Sequence, residues 1–316
     1  MEEIKQNPTD PMVHWQLGEF YERNTNFVAA IAEYRTSITF GNNDPSRFLH
    51  LARIYLTLGQ VESASEIIGQ LLQGEFGPHT IFHAEKLNEQ LKKTPSQSLK
   101  LLNHNNFYRL QSLKEYIQSI TETKHFSLVD VGGGIGELAL FLPDAYYVLA
   151  EPGVNGLAAP LPFEPNSFDI VVCCHVLEHI PLEDRDTFLD NLCKMAKQKV
   201  ILLNPFSSQF ATEWSQLIYD ITRAGWAKEH VDCIVPELSH VEKYAESRGY
   251  SYKVLPNGMS ELAIALVFVE HYARLSGKMD EYKKINDMLN NTHIGSFASA
   301  QSPNAYLIEF DMKKSE

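Results

Sequence analysis

The 316-residue sequence predicts two regions of different class. Residues 1–95 read as an all-α helical repeat region, and residues 96–316 as an α/β region on a mostly parallel sheet. Three observations carry this division. Small and aromatic residues recur with a displacement of 34 positions in the first 90 residues. The polar stretch 92–98, KKTPSQS, then breaks the helical pattern at Pro95. Beyond it, short β-rich runs alternate with amphipathic helices, the pattern of a parallel sheet covered on both faces.

Composition narrows the class. A content of 44% hydrophobic and 21% charged residues is ordinary for a globular chain. The formal net charge of -13 argues against nucleic acid as a partner, because such binding needs a basic face to displace counterions. The longest apolar run, 262–269, is too short to span a bilayer. The start, MEEIKQNPTD, has neither a positive segment nor an apolar one, so a cytoplasmic protein is expected. Cys173, Cys174, Cys193 and Cys233 show no metal-binding spacing and read as reduced, mostly buried thiols; no metal site is expected.

In the repeat region, Gly18, Tyr21, Ala30 and Tyr34 are matched by Ala52, Tyr55, Ala64 and Ile68. Small residues at 18/52 and 30/64 let antiparallel helices approach closely, while Tyr21 and Tyr55 fill the space beside them. The pattern resembles the tetratricopeptide repeat. A third helical segment, 81–92, caps the stack. Two repeats bury their apolar faces only against a neighbour, so the region is expected to lean on its cap, on the second region or on another copy. The resemblance implies binding of a protein partner or self-association.

In the second region a helix over 107–120 is followed by strands in SLVDV (127–131), AYYVLAE (145–151), DIVVCCH (169–175) and KVILLNP (199–205). Helices are expected over 186–196 and 236–248, then strands over 252–255 and 305–311. The insertion 257–303 contains an apolar helix, ELAIALVFVEHYARL, expected to be largely buried, and a polar continuation. It reads either as a cover that shapes acceptor choice or as a packing or dimer helix.

The chemistry concentrates around one turn. Gly132, Gly133, Gly134 and Gly136 follow the first strand, which brings bare backbone and a helix start to a polar ligand. Glu151 ends the second strand, where a carboxylate can accept hydrogen bonds from ribose hydroxyls. A nicotinamide dinucleotide and S-adenosylmethionine both fit so far. Asp130 decides for the latter: a carboxylate sits badly beside a pyrophosphate and well beside the ammonium of a methionine moiety.

The run LPFEPNSFDIVVCCHVLEHI (161–180) strongly resembles the segment around the fourth strand of class I S-adenosylmethionine-dependent methyltransferases of the type 11 group. A weaker resemblance extends over 127–249. It implies a Rossmann-like sheet, with Asp130, Gly132, Gly134 and Gly136 at the methionine side and Glu151 on the ribose. Backbone at Leu161, Pro162 and Phe163 would lie by the adenine, with His175 near the methyl group. The chain departs from that family between Glu151 and Leu161. The nine residues PGVNGLAAP are too few for the usual helix and third strand, so that strand is expected to be shortened or missing.

His175 and His230 are the candidate catalytic residues, since imidazole titrates near neutral pH. Glu178 and His179, one residue apart, are expected on different faces in structural roles. The implied activity is methyl transfer to a small-molecule or glycan-type acceptor. The rival reading is a catalytically idle methyltransferase fold serving as a scaffold.

Overall fold

The computed structural model describes residues 7–123, 125–150, 163–207, 211–232, 234–292 and 302–312. The chain divides into two compact units. One comprises Met1–Leu99 and Gly134–Leu149, the other Lys100–Gly133 and Ala150–Glu316.

The first unit opens with helices α1 (Pro11–Arg23), α2 (Phe27–Thr39), α3 (Pro45–Thr57) and α4 (Val61–Gln73), followed by α5 (Pro78–Leu91). The second pair reproduces the first in length and in the 34-residue displacement. Both pairs start with the same device. Asp10 and Asp44 cap α1 and α3 through Met12 N and Ser46 N, and the proline that follows each needs no donor in the first turn. The close approach expected at Gly18 is real: a Cβ there would lie 2.5 Å from the Tyr34 ring. Trp15 packs on that ring at 4.2 Å, and the Arg47 guanidinium covers Trp15 at 4.1 Å. Ala30, Ala52, Ala64 and Tyr55 are buried, whereas Tyr21 is only half-buried.

The same unit contains α7 (Leu138–Phe141), a single turn, and β2 (Tyr146–Ala150) up to Leu149. Helix α2 holds both. Arg35, buried at 6% exposure, donates to the carbonyl of Ala139 and to those of Leu142 (2.8 Å), Pro143 (3.3 Å) and Ala145 (2.6 Å). These carbonyls belong to the last turn of the helix and the segment that follows it, and a cation suits that end of the helix dipole. Next to it on α2, Thr36 Oγ1 accepts from Leu149 N (3.0 Å), and one turn further Thr39 Oγ1 donates to Tyr147 O (3.0 Å). Two threonine hydroxyls thus pair a backbone edge of β2, the kind of exposed ladder that invites misassembly.

The second unit supplies α6 (His104–Ile120), β1 (Ser127–Val131), β3 (Phe168–Cys174), α8 (Arg185–Met195) and β4 (Ala196–Asn204). Then come α9 (Ala211–Thr222), α10 (Gly225–Asp232), α11 (Leu238–Arg248), β5 (Ser251–Asn257), α12 (Ser260–Ser276), α13 (Met279–Asn290) and β6 (Ala305–Asp311). Within this unit the strand order is β1-β3-β4-β6-β5. β1 pairs β3 and β3 pairs β4 in parallel, but β6 runs antiparallel between β4 and β5. The sheet is therefore mixed but mostly parallel, as expected: β1, β3, β4 and β5 share one direction and β6 runs against them. The reason is local: after α12 and α13 the chain returns into the gap between β4 and β5, and a strand entering there from the far end must run backwards. Glu309, buried in mid-β6, fixes the register through Lys199 of β4 (2.9 Å), Tyr116 of α6 (2.8 Å) and Lys253 of β5 (3.5 Å). Burial alone would raise its pKa, but Lys199 and Tyr116 hold it below the ordinary carboxylate value.

The expected shortening of a third strand falls on 151–162, which lies outside the described residues. A second expectation is corrected. Helix α12 is not largely buried: only Leu266 and Ala273 are, while Val269, Tyr272 and Leu275 face outward, Leu275 at 71% exposure. Its apolar face is wider than α13 can cover, and together they leave a shallow apolar groove past Phe268, Tyr272 and Ile285.

Two measurements follow from the first unit. Arg35→Ala should cost about 3 kcal/mol, the scale of buried carbonyls left without a charged donor, and lower the urea midpoint accordingly. Arg35→Lys should recover only part, since an ammonium cannot reproduce the fork. His14 is the second case. Burial alone would lower its pKa, but Glu33, at 2.7 Å from Nδ1, makes the net shift upward. A raised histidine stabilises the fold fully below about pH 6.5 and loses that contribution as pH rises through the folded value. The stability difference between wild type and His14→Gln should therefore shrink on going from mildly acidic to mildly alkaline buffer. A difference independent of pH would contradict this assignment.

Candidate functional site

Strand β1 delivers Asp130 to the carboxyl edge of the sheet, where it is 1% exposed. The chain then turns at Gly132 (φ +73°), whose N–H donates to Ala150 O at 2.7 Å. A side chain at Gly132 would strike Val176, with its Cβ 2.5 Å from that residue. Gly133 packs over the Asp130 carboxylate so closely that a Cβ would lie 2.3 Å from it. Asp130 thus supports the turn from beneath. Gly134 (φ +60°) continues the turn with nothing within 4 Å of its Cβ direction. Gly136 also has positive φ. Glu151, Leu161 and Pro162 lie outside the described residues; Phe163 is buried with its ring edge-on to Phe168 at 5.2 Å.

Strand β3 ends in His175, held at φ +57° with its N–H on Leu203 O at 2.8 Å. This left-handed residue turns the chain sharply into a short helical turn, Leu177–His179. The turn carries Glu178 inward to full burial. Asn204, the last residue of β4 and also fully buried, donates to Glu178 Oε2 at 2.5 Å. The other oxygen, Oε1, lies 3.3 Å from His175 Nδ1 and 3.8 Å from His230 Nε2, and among the described residues it has no hydrogen bond.

His230 arrives from α10. Its ring stands 5.0 Å from that of His179 and 5.2 Å from Trp226. Glu229 Oε2 lies 2.8 Å from His179 Nδ1. A buried guanidinium ties the two segments together: Arg185, 1% exposed, donates through Nε to Ile180 O at 3.0 Å and also to Ile234 O.

Electrostatics follow from burial. Burial would raise Glu178, but the imidazoles of His175 and His230 keep it below the ordinary carboxylate value. Burial pushes His175 down and brings His230 down to about 4, so His230 is a neutral ring at physiological pH. A base that weak is poorly matched to proton abstraction at neutral pH, although its lone pair remains available. Cys173 is driven well above its usual value by burial, which fits a strand-core thiol and no nucleophile.

The two candidate catalytic histidines therefore meet at one carboxylate. Glu178 and His179, read from sequence as structural and divergent, belong to the same cluster. Asn204 and Arg185 were not foreseen. The signal for Asn204 was a polar residue closing a buried strand; the convergence itself depends on α10 folding back, which no spacing encodes.

Replacement of Asn204 tests the support of the buried carboxylate. Asn204→Ala should cost about 2 kcal/mol, the scale of a hydrogen bond to a charged group. Asn204→Asp should cost more, because a second carboxylate then faces Glu178. Thermal denaturation with equal losses for both variants would contradict this picture.

Residues 147–203 match the profile of a family described as "Methyltransferase domain". No curated protein matches the chain significantly. Among solved structures, the YcgJ protein of Bacillus subtilis is 14% identical, covering 66% of this chain and 99% of its own, with a TM-score of 0.40. A SAM-dependent methyltransferase from Archaeoglobus fulgidus is 14% identical, covering 64% of this chain and 92% of its own, with a TM-score of 0.41. Magnesium protoporphyrin IX methyltransferase from Synechocystis, with bound SAH, is 12% identical, covering 83% and 98%, with a TM-score of 0.39. The segment of β2, β3 and β4, taken together, is thus the part of this chain that carries a methyltransferase-domain signature.

Proposed function

We propose that the chain is an S-adenosylmethionine-dependent methyltransferase acting on a small-molecule or glycan-type acceptor. The observation that carries this reading is the match of 147–203 to the methyltransferase-domain family, with Asp130 and the glycine turn directly ahead of it in the chain. In this reading the glycine turn through Gly134 receives the methionine end of the cofactor, and Asp130 holds the turn that presents it. Glu151 takes the ribose hydroxyls, and Leu161, Pro162 and Phe163 border the adenine. His175 lines the place where the methyl group is transferred, and His230 faces the acceptor. The cofactor supplies an activated methyl on sulfur; the protein's task is to align the acceptor with it and exclude water. A cytoplasmic location fits the composition. Among the described residues no helix is long and apolar enough to cross a membrane.

For 1–95 we infer a tetratricopeptide-like pair of repeats with a capping helix. The support is the equal helix lengths, the shared Asp-Pro starts and the close packing at Gly18. The grip of Arg35, Thr36 and Thr39 on 139–149 favours a buttressing role for α2. Outward faces of the repeats remain available for a protein partner or a second copy.

Calorimetric titration with S-adenosylmethionine tests the cofactor assignment. Binding should be measurable and should weaken at least about tenfold, or 1.4 kcal/mol, in Gly134→Val and in Glu151→Ala. An absence of binding at millimolar cofactor would overturn the enzyme reading in favour of an idle scaffold.

A further inference from the structure

Glu178 poses a problem that its hydrogen bonds do not solve. A fully buried carboxylate is costly unless it is paired or coordinates a metal. One oxygen has the Asn204 amide. The other points at imidazoles that are too far away or poorly angled to bond it.

We propose that Glu178, His179 and His230 form a binding site for one divalent transition-metal ion. A carboxylate oxygen of Glu178 and one nitrogen from each ring lie within 4.8 Å of one another, close enough for small side-chain rotations to bring all three onto a single ion. One carboxylate and two imidazoles suit zinc, cobalt or manganese better than magnesium or calcium, which prefer oxygen ligands throughout. The outer partners of a metal site are present as well. Asn204 fixes the carboxylate at 2.5 Å, Glu229 steadies the His179 ring at 2.8 Å, and Arg185 binds the carbonyls of Ile180 and Ile234 on either side. The side chains of His179 and His230 are 27% and 12% exposed, which leaves a way in for the ion. Three protein ligands leave positions open to water or to an oxygen of an acceptor. Use of those positions for an acceptor hydroxyl rests on the methyltransferase reading; the site itself does not.

The test uses the full-length protein after treatment with a chelator. Zn²⁺ alone is titrated by calorimetry, and Co²⁺ alone is followed by its visible absorption. One ion per chain is expected, with cobalt bands of low-symmetry coordination. Affinity should fall at least about tenfold in Glu178→Gln and in His230→Gln, the scale of a lost site residue. His271→Gln, on α12, should bind as wild type. Circular dichroism shows whether each variant is folded; if Glu178→Gln does not fold, Glu229→Gln and His230→Gln decide. Binding that is substoichiometric, or equal in wild type and the folded site variants, overturns the proposal as surface adsorption. S-adenosylmethionine titrated into the same metal-free protein separates the two claims. Loss of cofactor binding with retained metal binding would defeat the methyltransferase reading and leave the metal site, and the reverse result would do the opposite.

Discussion

The buried guanidinium of Arg35 is the constraint on which the first unit depends. A single cation at the end of α7 receives the carbonyls of Ala139, Leu142, Pro143 and Ala145 together. Its position on α2 sets the neighbouring threonines against β2, so one helix face closes a helix end and a strand edge together. The cost of leaving such groups unmade far exceeds the net gain from any one bond. The N-terminal helices are therefore part of the architecture that carries residues 139–149, and not an appendage to it.

A second buried charge, on Glu178, organises the second unit's candidate site. Two strand ends, a short turn and α10 all direct polar atoms at one carboxylate. Arg185 holds the turn and the segment after α10 by their carbonyls, so Glu178 and His230 are set on a braced frame. The same low-polarity surroundings that make an unpaired oxygen costly also keep the facing imidazoles neutral.

Much of the fold was legible in local pattern. The 34-residue displacement located both helix pairs, because spacing within a helical hairpin is written in small and large residues that must mesh. The runs 127–131, 169–175 and 199–205 announced strands through continuous β-branched and apolar residues. Sheet order was not legible: alternation of strands and helices says nothing about a last strand that returns between two others, and Glu309 gives its reason only once Lys199 and Lys253 flank it. The apolar sequence of α12 implied burial because periodicity cannot distinguish a covered face from an exposed one. Within the site, Asp130 and the glycines were readable from the strand-turn order. The convergence of Glu178 and His179 was not legible because facing was argued from a regular helix, whereas a left-handed His175 and a tight turn redirect them.

The bonds of α2 to 139–149 span 104 to 113 residues of sequence. During synthesis, Arg35, Thr36 and Thr39 emerge long before the groups that will receive them. Until then α2 must expose a cationic, partly hydroxylated face that its own hairpin cannot satisfy. Closure of so long a loop is slow relative to local helix formation. The helical pairs should therefore form early and wait, and the arrival of residues 139–149 becomes the event that commits the first unit to its final packing. Order of synthesis and order of assembly are in that sense coupled through three side chains on one helix.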